Sequence, residues 1–191
     1  MTILIPGLEH IEMCNAPLAS YTSVPYLPCP EETPREQAWP HEAYTFLRER
    51  FLPHIQAYTR DSFPKRIYVS RRDALKRKVI NEDELTNYLH SRGFETIVLE
   101  NMGGIEQMAM FYNADMVVST HGAALVNTMF CKKNTTVIEL CSELQSSLKH
   151  FSHISECLGF TYHRYMNVIP DTDTIDANVY VNKEDMYLLG V

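Results

Sequence analysis

Between residues 40 and 165, short apolar runs alternate with longer stretches that mix apolar and polar residues. Five short apolar runs, rich in β-branched or aromatic residues, begin near residues 66, 94, 115, 135 and 160 and predict strands. The stretches between them carry apolar residues at helical spacing, as Leu85, Tyr88 and Leu89 do. Strands that alternate with helices predict a parallel sheet with right-handed crossovers. We therefore predict a Rossmann-like α/β domain of about 120 residues.

Turn and capping residues set the predicted bounds of the elements. An amphipathic helix should begin near Pro40 and stop around Pro53, because proline interrupts helical hydrogen bonding. Asn81 is positioned to cap the next helix in a capping box with Glu84, and Gly93 to end it. The other predicted elements are strands over 66–70, 94–99, 116–118, 135–140 and 160–165, and helices over 105–114, 125–130, 146–158 and 183–189.

The chain divides by composition into three segments. Residues 1–38 contain six of the ten prolines, a density that excludes a helix and favours an extended, irregular segment. We interpret this segment as a hinge or as the remnant of an N-terminal domain. Residues 39–170 form the predicted Rossmann-like domain, and residues 171–191 form a C-terminal tail.

Charge narrows the class of ligand. A net charge of −7 argues against a nucleic-acid partner. Seven of the seventeen Lys and Arg residues nevertheless lie within residues 65–78. Such a local cationic patch on an acidic protein suits one small anionic ligand, and a solvated basic face is the alternative.

The apolar content and the cysteines argue against a membrane-spanning protein, a disulfide framework and a zinc site. No apolar run reaches the roughly 18 residues of a membrane helix, and the first residues lack the features of a signal peptide. The chain as it stands is therefore expected to have no membrane segment and to be cytoplasmic. The five cysteines are scattered and form no C-x-x-C pair, so neither a disulfide framework nor a zinc site is indicated.

Polar and small residues follow the predicted strands at their carboxyl ends, where Rossmann-type sheets bind ligands. They are Ser70 and Arg71, residues 100–104, and residues 121–124. Arg71 and Arg77 can offer planar forks to phosphate oxygens. The turn at Gly122 offers backbone N–H groups at a helix start, and His121 can donate to a phosphate or a leaving oxygen. The alternatives are tight packing for the small residues and a structural hydrogen bond for the histidine.

Four acidic residues each carry two interpretations. Glu139 ends the fourth predicted strand, where it can accept both hydroxyls of a ribose or simply face solvent. Asp171 and Asp173 can be interpreted as a divalent-metal pair, but their polar surroundings favour ordinary loop residues. Glu82 is a weak candidate next to the expected helix cap. No G-x-G-x-x-G follows the first predicted strand, which disfavours a nicotinamide-dependent oxidoreductase.

Three segments together resemble the C-terminal part of glycosyltransferase family 61. They are RIYVSRRDALKRKVINEDEL at 66–85, GFETIVLENMGGIEQMAMFYNADMVVSTHGAALVNTMFC at 93–131 and TTVIEL at 135–140. The upstream WPHEAYTFLRERFLP fits as well, and the resemblance covers roughly residues 39–167. The family includes plant xylosyl- and arabinosyltransferases and animal N-acetylglucosaminyltransferases that act on glycoproteins.

The resemblance implies a fold and a set of donor-binding residues. The fold is the C-terminal half of a GT-B-type glycosyltransferase, in which the second of two Rossmann-like domains holds most of the donor. The residues implied to hold the donor diphosphate are Arg71, His121, Gly122, Ala123 and Ala124. The residues implied to lie near the base and ribose are Asn101, Met102 and Glu139.

The resemblance also implies a reaction. It is an inverting transfer of a sugar, such as xylose, arabinose or N-acetylglucosamine, from a UDP-sugar to a glycan or glycoprotein acceptor, without a metal or other cofactor. Most of an acceptor-side domain is expected to be missing, and the general base is unassigned, with His10, Glu12 and His41 as guesses. As a fragment of a longer eukaryotic protein, the chain would belong to the endoplasmic reticulum or Golgi lumen. The alternatives are a non-catalytic nucleotide-binding relative and, less favoured, a Rossmann oxidoreductase.

Overall fold

A computed structural model describes residues 41–184 and 186–191. All of these residues belong to one compact unit, Glu36–Val191. The predicted proline-rich segment, its boundary at residue 38 and the helix start at Pro40 lie outside the described residues.

Five parallel strands form the central sheet, in the order β2-β1-β3-β4-β5. The strands are β1 (Arg66–Val69), β2 (Glu95–Ile97), β3 (Met116–Thr120), β4 (Thr136–Leu140) and β5 (Thr161–Tyr165). The α-helices are α1 (His41–Tyr58), α2 (Glu82–Ser91), α3 (Gly104–Asn113) and α4 (His150–Leu158). The prediction of a Rossmann-like parallel sheet is confirmed.

The strand order reverses between β1 and β3. From β1 the chain moves outward to β2, then returns through α3 to β3 on the other side of β1, and continues outward to β4 and β5. In sheets of this kind the connections that follow the two central strands diverge and leave a crevice outside the carboxyl ends. The reversal therefore marks the edge between β1 and β3 as the place for a ligand.

Both faces of the sheet are buried, as expected for parallel strands joined by helical crossovers. The strand residues that face the core formed with α1, α3 and α4 are Ile67, Val69, Ile97, Val117 and Val137. The strand residues that face the core formed with α2 are Tyr68, Val118, Ile138, Leu140 and Tyr165. This two-sided burial holds the carboxyl edge of the sheet in a fixed position.

The prediction that α1 stops at Pro53 is wrong. The helix continues through Pro53 to Tyr58. An internal proline removes one helical hydrogen bond and costs about 3 kcal/mol. The turn beyond it is retained because Ile55 is fully buried in the core, and because the Thr59 hydroxyl and N–H both bond the Ile55 carbonyl.

Two predicted α-helices also differ from the structure. Residues Ala123–Phe130 form a 3₁₀ helix, in which the Thr128 hydroxyl donates to the Leu125 carbonyl at 2.6 Å. A side-chain bond to the carbonyl three residues earlier favours this tighter winding. The helix predicted over 146–158 starts later, at His150, after a separate 3₁₀ turn over Glu143–Gln145. Its predicted end is confirmed, since Gly159 adopts the left-handed conformation with φ 76°.

The C-terminal residues form a hairpin that was not predicted. Strand β6 (Val168–Pro170) pairs antiparallel with β7 (Val179–Val181), and a parallel bridge joins Val79 to Val179. A 3₁₀ helix over Met186–Leu189 follows, where a short helix was predicted. The hairpin thereby fixes residues 76–80, the far end of the basic loop that follows β1.

Asn81 occupies the predicted N-cap position of α2, but its side chain does not cap the helix. Its side chain makes no capping hydrogen bond, although its amide does reach Glu84 Oε2 at 3.2 Å. Instead, it accepts from the Val181 N–H and donates to the Val181 carbonyl, each at 2.9 Å. The amide thus acts as one more β-ladder partner for β7, an arrangement between distant residues that local sequence does not reveal.

Replacement of Asn81 should loosen the hairpin. Asn81→Ala leaves the N–H and carbonyl of the buried Val181 without their partner, so we expect it to lower the free energy of unfolding by about 1–3 kcal/mol. Urea unfolding followed by circular dichroism measures this change. Asn87→Ala, at an exposed position of α2, is the control and should have an effect below about 0.5 kcal/mol.

Candidate functional site

Arg71 and Gly122 meet at the edge between β1 and β3. Gly122 follows β3 in an extended conformation, with φ 165° and ψ 174°. A Cβ atom added to Gly122 would lie 3.0 Å from Cζ of Arg71 and closer still to its Nη1. The Arg71 guanidinium therefore lies directly against the Gly122 backbone. The absence of a side chain at this position serves the close approach, because an extended backbone accepts any residue.

Arg77 reaches the same turn from the far end of the basic loop. Its Nη1 donates to the His121 carbonyl at 3.4 Å, and its own carbonyl accepts from the Thr120 hydroxyl at 3.4 Å. Arg77 has φ 60° and is the only non-glycine residue with a positive φ in the described parts of the chain. Such a conformation costs about 1–2 kcal/mol per residue. Contacts to both Thr120 and His121 hold it there.

The two guanidinium groups leave hydrogen-bonding capacity unused. Nε of Arg71 and Nε of Arg77 are buried and have no hydrogen-bond partner. Arg77 Nε lies 3.5 Å from Asp176 Oδ1, which is an ion pair but too long for a good hydrogen bond. Asp176 also pairs with Lys76, so one carboxylate is shared between two cations, and Arg71 forms no ion pair with a described residue.

The electrostatics of this cluster favour an anion. Burial, followed by the positive charge of Arg77, lowers the pKa of Arg71, and Asp176 only partly opposes this. Two neighbouring guanidinium groups repel each other and are desolvated at the same time. A bound anion with several oxygens would relieve both penalties and satisfy the free Nε–H groups.

His121 and Glu139 form a buried pair behind this cluster. Nδ1 of His121 is hydrogen-bonded to Oε1 of Glu139, and the Glu139 side chain is fully buried. The other oxygen, Oε2, accepts from the Tyr162 hydroxyl at 2.5 Å and from Arg164 Nε at 3.1 Å. Neither sequence interpretation of Glu139 fits this geometry, because both oxygens are bonded inside the protein and none faces solvent.

Glu139 is held in its ionised form. Burial alone would raise the pKa of this carboxyl, but the hydrogen bonds from His121 and Tyr162, together with the charge of Arg164 and the charge that His121 carries when it is protonated, outweigh burial and lower the pKa. An ionised carboxylate only accepts hydrogen bonds, so Nδ1 of His121 must carry a proton. The ring's other nitrogen, Nε2, has no hydrogen-bond partner among the described residues, and 7% of the side chain stays exposed.

Ala123 and Ala124 open the 3₁₀ helix that follows Gly122. Ala123 is exposed, whereas Ala124 packs against the core. Small residues at these two positions keep bulky side chains away from the backbone beside Arg71. The predicted α-helical start is thus replaced by a 3₁₀ start at the same residues.

Ser70 lies at the end of β1 but is bonded away from the cluster. Its hydroxyl donates to Oε1 of Glu82 at 2.6 Å, and Tyr68 donates to the same oxygen at 3.0 Å. Arg72 pairs with the other oxygen of Glu82 at 3.4 Å. Ser70 and Glu82 therefore join β1 to the start of α2, and the predicted ligand contact of Ser70 stays a prediction.

The loop after β2 carries Asn101 and Met102. Asn101 ends a 3₁₀ turn and is exposed, and Met102 packs partly against the core. Gln107 holds this loop by donating to the carbonyls of Leu99 at 2.9 Å and Met102 at 3.1 Å. No described contact joins Asn101 or Met102 to Arg71 or His121. The loop does lie at the same sheet edge, one strand further out.

Gln107 is a positioning residue that the sequence interpretation missed. Besides holding the loop, its Oε1 accepts from Asn127 of the 3₁₀ helix at 3.4 Å. It thus links the loop after β2 to the segment after β3. The signal was present, since Glu106-Gln107 belongs to the motifs on which the family resemblance rests, but spacing alone assigned it no role.

Asp171 and Asp173 lie in the exposed connection between β6 and β7. Asp171 accepts from the Asn178 side chain at 3.0 Å, as a loop residue does. No group of three metal-ligating side chains occurs within residues 41–184 and 186–191. Of the residues guessed as bases, His41 is exposed at the start of α1, and His10 and Glu12 lie outside the described residues. In the same part of the chain, no helix is long and apolar enough to cross a membrane.

Glu139 should make stability depend on pH. A carboxyl whose pKa is lowered on folding stabilises the protein above its unfolded pKa of about 4.3 and loses this contribution as the pH falls through the folded value. Glu139→Gln should therefore cost about 1–3 kcal/mol of unfolding free energy at pH 7.5, and the difference from wild type should shrink below pH 4. Urea unfolding at several pH values measures it. A difference that is independent of pH would contradict the ionised pair.

Comparison with known proteins identifies the family of the chain. The sequence profile of the family "Glycosyltransferase 61" matches residues 4–138. The mouse (Mus musculus) EGF domain-specific O-linked N-acetylglucosamine transferase is 31% identical over 80 residues, which cover 39% of this chain and 15% of the mouse protein. The chain thus corresponds to a small part of the length of that relative. The profile covers well over half of the chain, and the chain belongs to the glycosyltransferase 61 family.

Proposed function

We propose that this chain forms the donor-binding part of an inverting, GT-B-type glycosyltransferase that uses a UDP-sugar. The observation that carries the proposal is the pair Arg71 and Arg77, whose buried Nε atoms lack hydrogen-bond partners at the edge between β1 and β3. A diphosphate has the charge and the number of oxygens that this pair requires. Membership of the glycosyltransferase 61 family supports a sugar-linked diphosphate over other anions.

The same residues suit the chemistry of the leaving group. When the bond between the sugar and the diphosphate breaks, negative charge grows on the departing phosphate oxygens. Preorganised cations and N–H donors at that position lower the barrier, because they need no rearrangement as the charge develops. We propose that Arg71, Arg77 and His121 stabilise this charge and that the backbone from Gly122 to Ala124 lies against the phosphates. Side chains would then supply the positive charge that a divalent metal supplies elsewhere, so no cofactor is required.

The nucleoside and sugar are proposed to extend along the edge towards β2. Asn101 and Met102 lie there, on the loop that Gln107 fixes. In this proposal residues 39–170 are the nucleotide-sugar-binding domain, residues 171–191 are its C-terminal tail, and residues 1–38 are a hinge or the remnant of an acceptor-side domain. The sugar is xylose, arabinose or N-acetylglucosamine, and the name of the mouse relative favours the last.

The acceptor side of the reaction is less specified. Inversion at the anomeric carbon requires a base that takes the proton of the acceptor hydroxyl. We assign no residue to this role. The family and the mouse relative's action on EGF domains support a glycan or glycoprotein acceptor, and with it the endoplasmic reticulum or Golgi lumen as the compartment.

A second candidate function is nucleotide binding without catalysis. It would use the same Arg71 and Arg77 pair and differ only in lacking transfer. A Rossmann oxidoreductase is disfavoured by the missing glycine fingerprint and by the strand order 2-1-3-4-5, which differs from the order of dinucleotide-binding folds.

Calorimetric titration of the chain tests the proposal. We expect UDP and UDP-sugars to bind, NAD not to bind, and the affinity for UDP to be unchanged by EDTA. The expected affinity rests on charge-assisted hydrogen bonds to the phosphates, so it should also fall as salt is raised. Binding of NAD in preference to UDP would favour the oxidoreductase. Sugar transfer or slow donor hydrolysis would separate the enzyme from the non-catalytic alternative.

Substitution of Arg71 should weaken UDP binding. Arg71→Ala removes a charged donor and should cost about 1.5–3 kcal/mol, or roughly 10- to 150-fold in Kd. Gly122→Ala should act in the same direction with little change in stability, because its methyl group displaces the Arg71 guanidinium and the backbone is not strained. Arg72→Ala is the control, since it removes an equal charge from a side chain that pairs with Glu82. Unchanged affinity in Arg71→Ala would remove this residue from the site.

A further inference from the structure

His121 presents one engaged and one free ring nitrogen. Nδ1 is bonded to Glu139, whose carboxylate is in turn held by Tyr162 and Arg164. Nε2 has no partner among the described residues, although the side chain is more than nine-tenths buried. The ring is also packed against Phe151, with centroids 5.1 Å apart. The imidazole thus has a fixed orientation, and Nε2 is the ring nitrogen that is left to bond a ligand.

The protonation state decides what Nε2 can do. With the proton of the neutral ring on Nδ1, Nε2 is a hydrogen-bond acceptor and would face a phosphate oxygen lone pair to lone pair. Only the imidazolium can donate from Nε2. A ligand that places a phosphate oxygen there must therefore bring His121 to its charged form, and a buried carboxylate on Nδ1 is the arrangement that stabilises an imidazolium.

We propose that Glu139 enables His121 to take up a proton when the sugar donor binds. Binding of the diphosphate is accompanied by proton uptake at Nε2, and the protonated Nε2 then donates a hydrogen bond to the leaving phosphate. This inference rests on the proposed function. Glu139 acts through His121 and is a positioning residue, with Tyr162 and Arg164 supporting it. The proton comes from solvent, and no bond other than the N–H bond forms in this step.

The groups that face His121 explain why the ligand is needed. Arg71 lies against the Gly122 backbone, and Arg77 donates to the His121 carbonyl. Before binding, these two positive charges disfavour a further positive charge on the His121 ring. The diphosphate reverses the sign of this local charge. On the other side of the ring, Glu139 carries a negative charge that it shares with Arg164.

Two further neighbours, Tyr162 and Cys141, stay neutral near neutral pH. Burial and the Glu139 charge raise the pKa of Tyr162 well above its usual range, so its hydroxyl stays protonated and donates. Burial raises the pKa of Cys141 to about 12, so its thiol stays neutral. From α4 the ring contact is with Phe151, which does not titrate, and His150 lies against Phe151. Variants of Glu139 and Tyr162, the first bonded to His121 and the second bonded to Glu139, therefore serve to assign the proton uptake to the His121 ring.

The test is calorimetric titration of the 191-residue chain in buffers of different ionisation enthalpy, from pH 5.5 to 8. The probes are UDP and its methyl ester on the β-phosphate. The ester is essential because it removes the phosphate pKa of about 6, whose own titration would obscure the result. If protonation of His121 strengthens binding of the ester tenfold, we expect uptake of about half a proton per bound ester molecule at the pH of maximal uptake.

Two variants should shift the pH of maximal proton uptake in opposite directions, which a purely structural role of Glu139 does not predict. Glu139→Gln should move the pH of maximal uptake down by about one unit, because the stabilising charge is lost. Tyr162→Phe should move it up by a few tenths of a unit, because the Glu139 carboxylate is left with one donor fewer. Glu143→Gln, at an exposed position close in sequence, is the control and should leave it unchanged.

The outcomes separate the two proposals. Failure of both UDP and its ester to bind the wild-type chain would overturn the proposed function and this inference with it. Binding without proton uptake by the ester would overturn the inference alone. Uptake with the same optimal pH in wild type, Glu139→Gln and Tyr162→Phe would also overturn it, since the proton would then belong to another group.

Discussion

A single buried carboxylate organises the carboxyl edge of this sheet. Glu139 is fully buried on β4, and an ion in such a place is tolerated only when hydrogen-bond donors surround it. Its donors come from both neighbouring segments, His121 after β3 and Tyr162 and Arg164 on β5. Because all three must be in position at once, the direction of the chain leaving β3 is fixed. That direction places the Gly122 backbone against the Arg71 guanidinium.

The acidic and the basic side chains at the carboxyl edge of the sheet differ in how fully they are hydrogen-bonded. Glu139 and Glu82 are each bonded by two or more side chains, so their charges are balanced inside the protein. Arg71 and Arg77 retain buried Nε atoms with no hydrogen bond, and Arg77 keeps a strained backbone as well. Unsatisfied donors and strain persist at positions where function requires them. The contrast between the balanced acids and the unbalanced arginines is the reason that we propose a ligand site at the two arginines.

Sequence predicted the features that depend on local patterns. Runs rich in β-branched or aromatic residues predicted the five strands, and Gly93 and Gly159 ended their helices with φ of 79° and 76°. The features that were missed depend on register between distant segments. Ser119, Glu139 and Arg164 are opposite one another only because β3, β4 and β5 align in this register. The pairing of Asn81 with β7 likewise joins residues 100 positions apart. Local patterns therefore predicted only a strand-end residue at Glu139 and a helix cap at Asn81.

The residues of the site fall into two groups that the sequence reveals to different extents. The family profile spans residues 4–138 and includes Arg71, Arg77, His121 and Gly122, the residues that face the proposed phosphates. Behind His121 lies Glu139, whose second oxygen is held by two side chains of β5. This support depends on the register of β3, β4 and β5, so it can be identified only from the three-dimensional contacts. In our proposal, it is this support that stabilises the imidazolium that donates from Nε2 to the leaving phosphate.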